Sequence, residues 1–344
     1  MQLARGLAAA TVALVVGCGG SKPGPPPFRG IAYVRHFGFG RAEVWVARLD
    51  GTGKRRLADR AATPLLSPDG RWVAYAKCFD PGDCRELYLI PTAGGTPRLL
   101  AHGVWAQEWS PDSRFLVGTR VRRDFSTSAL VKVDLEGQVT EITRLPAGTV
   151  SLVPSGKQVC FDIWNGGRPD LYVVDIDGGS ARRLTHGGVS FSPVWGTHGI
   201  AFTRLVREGR FPNNAWGADE IWRVNPDGSG LQRIAKPPAR VLGSGITGLA
   251  PALWSRDGSR IVAELTNEFG GPPFAVDAST GRVRRIDSYS YHGHPAGLSR
   301  DGRYVLVEDG NVELDRWQRV EVVPFAGGKP TVIARFAGSP SWNR

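Results

Sequence analysis

His292 and His294, separated by one glycine and followed by Pro295, are the residues of this chain best spaced to grip a metal ion. Alternate side chains of a strand share a face, so both imidazoles would point into one space. Two ligands do not complete a site, and the stretch from Ala252 to Asp287 just before them contains no histidine. His198 and Gln107 could contribute only if the fold carried them there. No metal site and no catalytic residue are therefore assigned, His292 and His294 remain the metal candidates, and no cofactor is expected. Of the cysteines, Cys78 and Cys84 flank Phe79-Asp80-Pro81-Gly82-Asp83, a turn that would bring them together, so a disulfide is expected in an oxidising compartment. No second cysteine pair or nearby histidine stands by to complete a zinc tetrahedron with them. Cys160, between Val159 and Phe161, reads as buried apolar filler.

Other chemistry-bearing patterns fail on physical grounds. The chain has no G-x-S-x-G elbow, no H-E-x-x-H and no C-x-x-C. Gly243-Ser244-Gly245-Ile246-Thr247-Gly248 matches a dinucleotide fingerprint by letter, but Pro251 forbids the helix that would receive a pyrophosphate. Asp175-Ile176-Asp177-Gly178-Gly179 lacks the downstream glutamate of a calcium loop.

The elements that must carry these residues are set by a repeat. Leu66-Ser67-Pro68-Asp69-Gly70, Trp109-Ser110-Pro111-Asp112-Ser113 and Trp254-Ser255-Arg256-Asp257-Gly258 are its clearest copies; worn ones begin at Leu152, Trp195 and Leu298, and a cut-short one at Trp342. From Leu66 to Trp109, Leu152 and Trp195 each step is 43 residues, then 59 to Trp254, then 44 to Leu298 and 44 to Trp342. After each marker come short runs of branched and aromatic residues such as Trp72-Val73-Ala74-Tyr75 and Leu87-Tyr88-Leu89-Ile90, broken by Asp-Gly or Gly-Gly turns. These are strand and hairpin signals. Four antiparallel strands per repeat predict an all-β chain, a seven-bladed β-propeller of four-stranded blades. Ser339-Pro340-Ser341-Trp342-Asn343 ends after one strand and Gly30-Ile31-Ala32-Tyr33-Val34 begins without it, so the C-terminal strand is expected to complete the N-terminal blade and close the ring.

This W-S-P-D-G core with its following strand and D-G-G hairpin resembles the PD40, or TolB-like, propeller repeats (WD40-like), over roughly residues 28 to 344. The resemblance implies the fold and leaves function open, because propellers carry unrelated activities on one scaffold. The His292-Gly293-His294-Pro295 entry into a blade is similar to that of oligogalacturonate lyases, where such histidines are metal ligands. What this second resemblance implies is an alternative function, a metal-dependent polysaccharide lyase.

The first residues concern destination. Arg5 gives a positive start, Leu7 to Val16 is a short apolar run, and Val15-Val16-Gly17-Cys18 looks like a bacterial lipobox. Residues 1–17 are thus expected to be a lipoprotein signal peptide and 18–27 a lipidated Cys18 on a flexible Gly/Ser/Pro tether, with 28–344 the propeller. The protein would be exported and membrane-held through its lipid anchor, facing the periplasm or cell exterior.

The formal net charge is +11, but the export signal argues against nucleic acid. Arg55-Arg56, Arg182-Arg183 and Arg284-Arg285 fall on the expected outer strand, where a solvated rim or an anionic-lipid or acidic-glycan surface are both open readings. The Ser-Pro-Asp-Gly and Asp-Gly-Gly turns share one end of the strands, leaving long connections at the other. Function concentrates on such loops. They contain Phe37, Phe39, Arg122, Arg123, Phe125, Trp164, Arg210, Phe211, Trp216 and Trp317, residue types that make interface hot spots. Arg207 to Trp216, in the 59-residue repeat, is the insertion without a counterpart. The expected function is a binding scaffold of the cell envelope, a monomer with an envelope protein or polysaccharide as partner.

Overall fold

The computed structural model describes residues 28–36, 42–78, 85–122, 126–206, 218–238, 248–255, 257–266, 272–286, 293–299, 301–309 and 318–342. Its strands form seven four-stranded antiparallel sheets, the blades of a seven-bladed β-propeller. Among the described residues no helix is long and apolar enough to cross a membrane.

Blade 1 receives β1 (Ile31–His36), β2 (Ala42–Ala47) and β3 (Arg55–Asp59), and blade 2 is β4 (Ala61–Leu66), β5 (Trp72–Lys77), β6 (Glu86–Pro91) and β7 (Arg98–His102). Blade 3 is β8 (Val104–Trp109), β9 (Phe115–Val121), β10 (Thr127–Asp134) and β11 (Val139–Thr143). Blade 4 is β12 (Val150–Leu152), β13 (Gln158–Asn165), β14 (Arg168–Asp175) and β15 (Arg182–Arg183). Blade 5 is β16 (Ser190–Gly196), β17 (Gly199–Val206), β18 (Ala218–Val224) and β19 (Gln232–Ala235). Blade 6 is β20 (Leu249–Trp254), β21 (Arg260–Leu265), β22 (Phe274–Asp277) and β23 (Val283–Arg285). Blade 7 is β24 (Gly293–Leu298), β25 (Tyr304–Asp309), β26 (Arg319–Pro324) and β27 (Thr331–Arg335). The last strand, β28 (Ala337–Trp342), returns to blade 1 and gives the order β28-β1-β2-β3. The expected strand sharing is therefore present.

The repeated Ser-Pro-Asp-Gly is a self-contained turn between the first two strands of a blade. The Ser255 hydroxyl donates to Asp257 Oδ1 at 2.6 Å and accepts from the Arg260 amide at 2.9 Å, while Gly258 donates to the Ser255 carbonyl. Ser67, Ser110 and Ser299 accept in the same way from the amides of Trp72, Phe115 and Tyr304. Gly70 and Gly258 both hold φ +72°, which a side chain would strain. The core lies between blades, not within them. Ala74, Leu87 and Leu89 of blade 2 pack on Trp109, Leu116 and Val131 of blade 3, and comparable clusters fill each of the other six seams. A middle strand covered on both faces must be apolar at every position, which explains runs such as Ile200-Ala201-Phe202, all fully buried.

The arginine-rich outer strands tie the seams from outside. Arg55, Arg98, Arg182 and Arg284 occupy one repeat position, and each donates to a turn carbonyl of the next blade: Thr92, Leu135, Pro226 and Phe325 respectively. Between blades 3 and 4 the link is Lys132 Nζ to Asp177, 2.7 Å. Neighbouring arginines pair within their own sheets, Arg56 with Glu43 and Arg233 with Glu220. Much of the basic rim is thus committed to the ring itself.

Candidate channel-mouth site

The innermost strands line a central channel, and nearly all of them carry an irregularity that shapes it. Register shifts occur between Ala62 and Leu65, Ala106 and Glu108, Phe191 and Val194, Pro251 and Leu253, and Pro295 and Gly297. Thr63, Ser192 and Ser339 take positive φ of 44°, 50° and 45° immediately before a proline. Residues before proline normally stay extended, so these positions need support. Carboxylates from the preceding blade supply it at two of them. The Ser192 amide donates to Asp162 Oδ2 and the Ser339 amide to Glu308 Oε2, both at 2.8 Å. Asp162, 1% exposed, also accepts from the Thr149 amide. Burial raises the pKa of its carboxyl while those amide bonds oppose the shift.

Further polar groups stitch the channel wall from blade to blade. Ser341 Oγ, Glu108 Oε2 and Ser151 Oγ accept from the amides of Leu66, Leu152 and Trp195, the marker residues of the next blade. Gln107 donates to the Gly148 carbonyl at 3.0 Å and accepts from the Val150 amide at 3.1 Å. Beside these groups lies a cavity of about 300 Å³, bordered by Thr63, Pro64, Gln107, Glu108, Ser339 and Pro340.

At the long-loop end, four residues before the marker, stand Trp105, Phe191 and His294 on the innermost strands of blades 3, 5 and 7, and Gly148 just ahead of β12 in blade 4. Trp105 is 55% exposed. Gly148 leaves room that Trp164 and Asp162 fill from β13: a Cβ there would stand 3.5 Å from the indole and collide with the carboxylate. Trp164 is 53% exposed and leans on Phe191, ring centroids 5.3 Å apart and planes tilted by 55°. Trp105, Trp164 and Phe191 thus form an aromatic arc over blades 3 to 5.

The arc over blades 6, 7 and 1 is polar. His294 Nδ1 lies 3.4 Å from Glu264 Oε2. That hydrogen bond raises the imidazole pKa against partial burial, and the charges of Glu264 and Glu308 add to the rise. Glu308 fills the space above Gly338. Asp162, Glu264 and Glu308 share one repeat position, ten residues beyond Leu152, Trp254 and Leu298.

Of the residues singled out in the sequence, Trp164 joins the mouth, and Arg122 is exposed with its amide on the Ser126 carbonyl. Phe37, Phe39, Arg123, Phe125, Arg210, Phe211, Trp216, Trp317, Cys18, Cys84 and His292 lie outside the described residues. His198 cannot join His294. It sits in the turn at the opposite end of its strand, against Thr197 Oγ1 and Gly258. Gln107 is spent on blade 4. Among the described residues no three metal-ligating side chains come together. Cys160 is fully buried, and burial pushes its thiol pKa well up. Sequence reasoning missed Trp105, Phe191, Glu264 and Glu308, whose signal was their repeat position.

No family model matches the chain. The TolB homolog of Chlorobium luteolum is 30% identical over 151 residues, which are 43% of this chain and 31% of that protein. The chain spans less than half the length of the curated relatives it first matches. In structure, TolB from Acinetobacter baumannii superposes with a TM-score of 0.55 at 17% identity, covering 91% of this chain and 66% of that one. An oligogalacturonate lyase in complex with manganese gives 0.57 at 15% identity, covering 89% and 86%. These structural likenesses are of fold alone, that of a β-propeller.

Proposed function

We propose that this protein is an exported, lipid-anchored binding module of the cell envelope, whose long-loop channel mouth holds a protein or polysaccharide partner. One observation carries the reading: two half-exposed indoles, Trp105 and Trp164, stand at the mouth on rigid strands, with Phe191 propping the second. Exposed aromatics held in one rotamer by their neighbours bind at low entropic cost. Cys18 is the anchor, and Cys18→Ala should move the exported protein from the detergent phase to the aqueous phase. A Cys78–Cys84 disulfide would close the loop between β5 and β6, which fits an oxidising compartment. Arg210, Phe211 and Trp216 of the blade 5 insertion would extend the contact surface.

The alternative, a metal-dependent lyase, draws support from the His-x-His-Pro spacing. The described residues do not fit it well. Glu264 on Nδ1 would leave Nε2 of His294 free to ligate, but among the described residues no group of three ligating side chains comes together around it. The two readings separate in one assay. Purified protein supplied with manganese, calcium or zinc is followed for unsaturated product on oligogalacturonate, beside His294→Ala. The binding reading expects no turnover from either; turnover that the variant abolishes would replace it with the lyase.

A further inference from the structure

The seam between blades 5 and 6 is built differently from its neighbours. Where the two neighbouring seams have Arg182 and Arg284 on the outer strand, Gln232 stands, its amide facing Arg223 of its own sheet. At the long-loop end of this seam lies Asp219, 8% exposed, with Oδ1 unpartnered among the described residues. Its backbone runs beside Gly248 in a parallel bridge so close that a Cβ on Gly248 would lie 2.5 Å from the Asp219 nitrogen. The Thr266 amide donates to the Gly248 carbonyl at 3.2 Å, which sets the Thr266 side chain beside the Asp219 carboxyl. One acid of blade 5 is thereby wedged against two backbone segments of blade 6.

Among the described residues no cation compensates it. From β17, Arg204 stacks on Trp222, 4.7 Å from the ring centroid, and Leu205 is the residue opposite Asp219. From β18 and β19, Glu220 and Arg233 pair with each other at 3.3 Å, and Glu220 also accepts from Trp222 Nε1. From β21, Glu264 is directed to His294 of blade 7. The β20 strand brings no charged residue.

We propose that the blade 5–blade 6 seam is a proton-controlled joint, packed tightly while Asp219 is protonated and loosened when it ionises. A carboxylic acid can donate as well as accept, whereas an ionised one buried beside a single hydroxyl has lost its hydration without gaining a counter-charge. Burial pushes the Asp219 pKa from 3.8 up to about 6. The sign follows: the neutral form is favoured in the closed seam, so the contribution is full below the ordinary carboxylate value and is lost as pH rises through about 6.

The test is amide hydrogen exchange on the full-length protein at about pH 5 and about pH 7.5, corrected for intrinsic rates, with Asp219→Asn in parallel. Amides of β18 and β20 should open roughly ten-fold or more readily at the higher pH, because each unit of pKa displacement is a factor of ten. Amides at the blade 1–blade 2 seam should not change, and Asp219→Asn should abolish the pH step and melt higher than the parent at the higher pH only. Protection at this seam that is independent of pH, or a step that persists in Asp219→Asn, would overturn the proposal. A calcium-dependent rise in melting temperature, absent from the variant, would also overturn it by showing a cation site. Should the variant not fold, the seam-by-seam comparison in the parent still decides.

Discussion

Ile31 and Trp342, from opposite ends of the described chain, face each other as antiparallel partners in blade 1. Around them Ala32 pairs with Ser341 and Val34 with Gly338, and Trp342 packs with Ile31, Leu306 and Ile333 across the blade 7–blade 1 seam. The ring is held at this point by strand pairing and by a buried indole, reinforced by Glu308 on the Ser339 amide.

Deleting residues 339–344 should therefore cost far more than six residues suggest. It removes most of β28, exposes the edge of β1 and empties part of a core cluster. Calorimetry should show loss of a single cooperative transition, and Trp342→Ala alone should cost about 3 kcal/mol, the usual figure for a large aromatic cut from a core. A truncated protein that melts like the parent would refute closure by shared pairing.

The rim arginines give a second expectation. Because Arg55, Arg98, Arg182 and Arg284 donate across seams, each alanine replacement should lower stability by about 1 kcal/mol in denaturant titrations, nearly additively since the sites are far apart. Binding to anionic vesicles should change little. Strong vesicle binding that falls with each arginine removed would restore the lipid-surface reading of this rim.

How much of this was legible follows from what each residue needs. The Ser-x-Asp-Gly turn satisfies itself locally and the Trp/Leu marker recurs at a nearly fixed step, so blade number, strand order and strand sharing were visible in the residues. The mouth was not. Bulges such as that between Ala106 and Glu108 break the simple two-residue alternation on the inner strand, so the face that Trp105, Phe191 and His294 take could not be read from the alternation, although all three stand four residues before the marker. The arginine clasps depend on a turn carbonyl one whole blade away, and Glu264 reaches His294 across a seam; neither contact has a spacing signature.

His294 should titrate abnormally. Its pKa is raised by Glu264, so the pair contributes stability that is full below the ordinary histidine value and is lost as pH climbs through the raised one. Proton NMR of the His294 ring should show a downward shift of its midpoint in Glu264→Gln. An unchanged midpoint would show that the pair does not form in solution.

In-cell photo-crosslinking from position 164 tests most directly whether the channel mouth is the binding surface. A photoreactive phenylalanine analogue there should give a discrete adduct with one envelope component, and the same probe at Arg98 on the rim should give none. With that component purified, Trp105→Ala should weaken its affinity by roughly 2 kcal/mol, as loss of an interface anchor does. No adduct from the mouth, or equal adducts from mouth and rim, would contradict the claim.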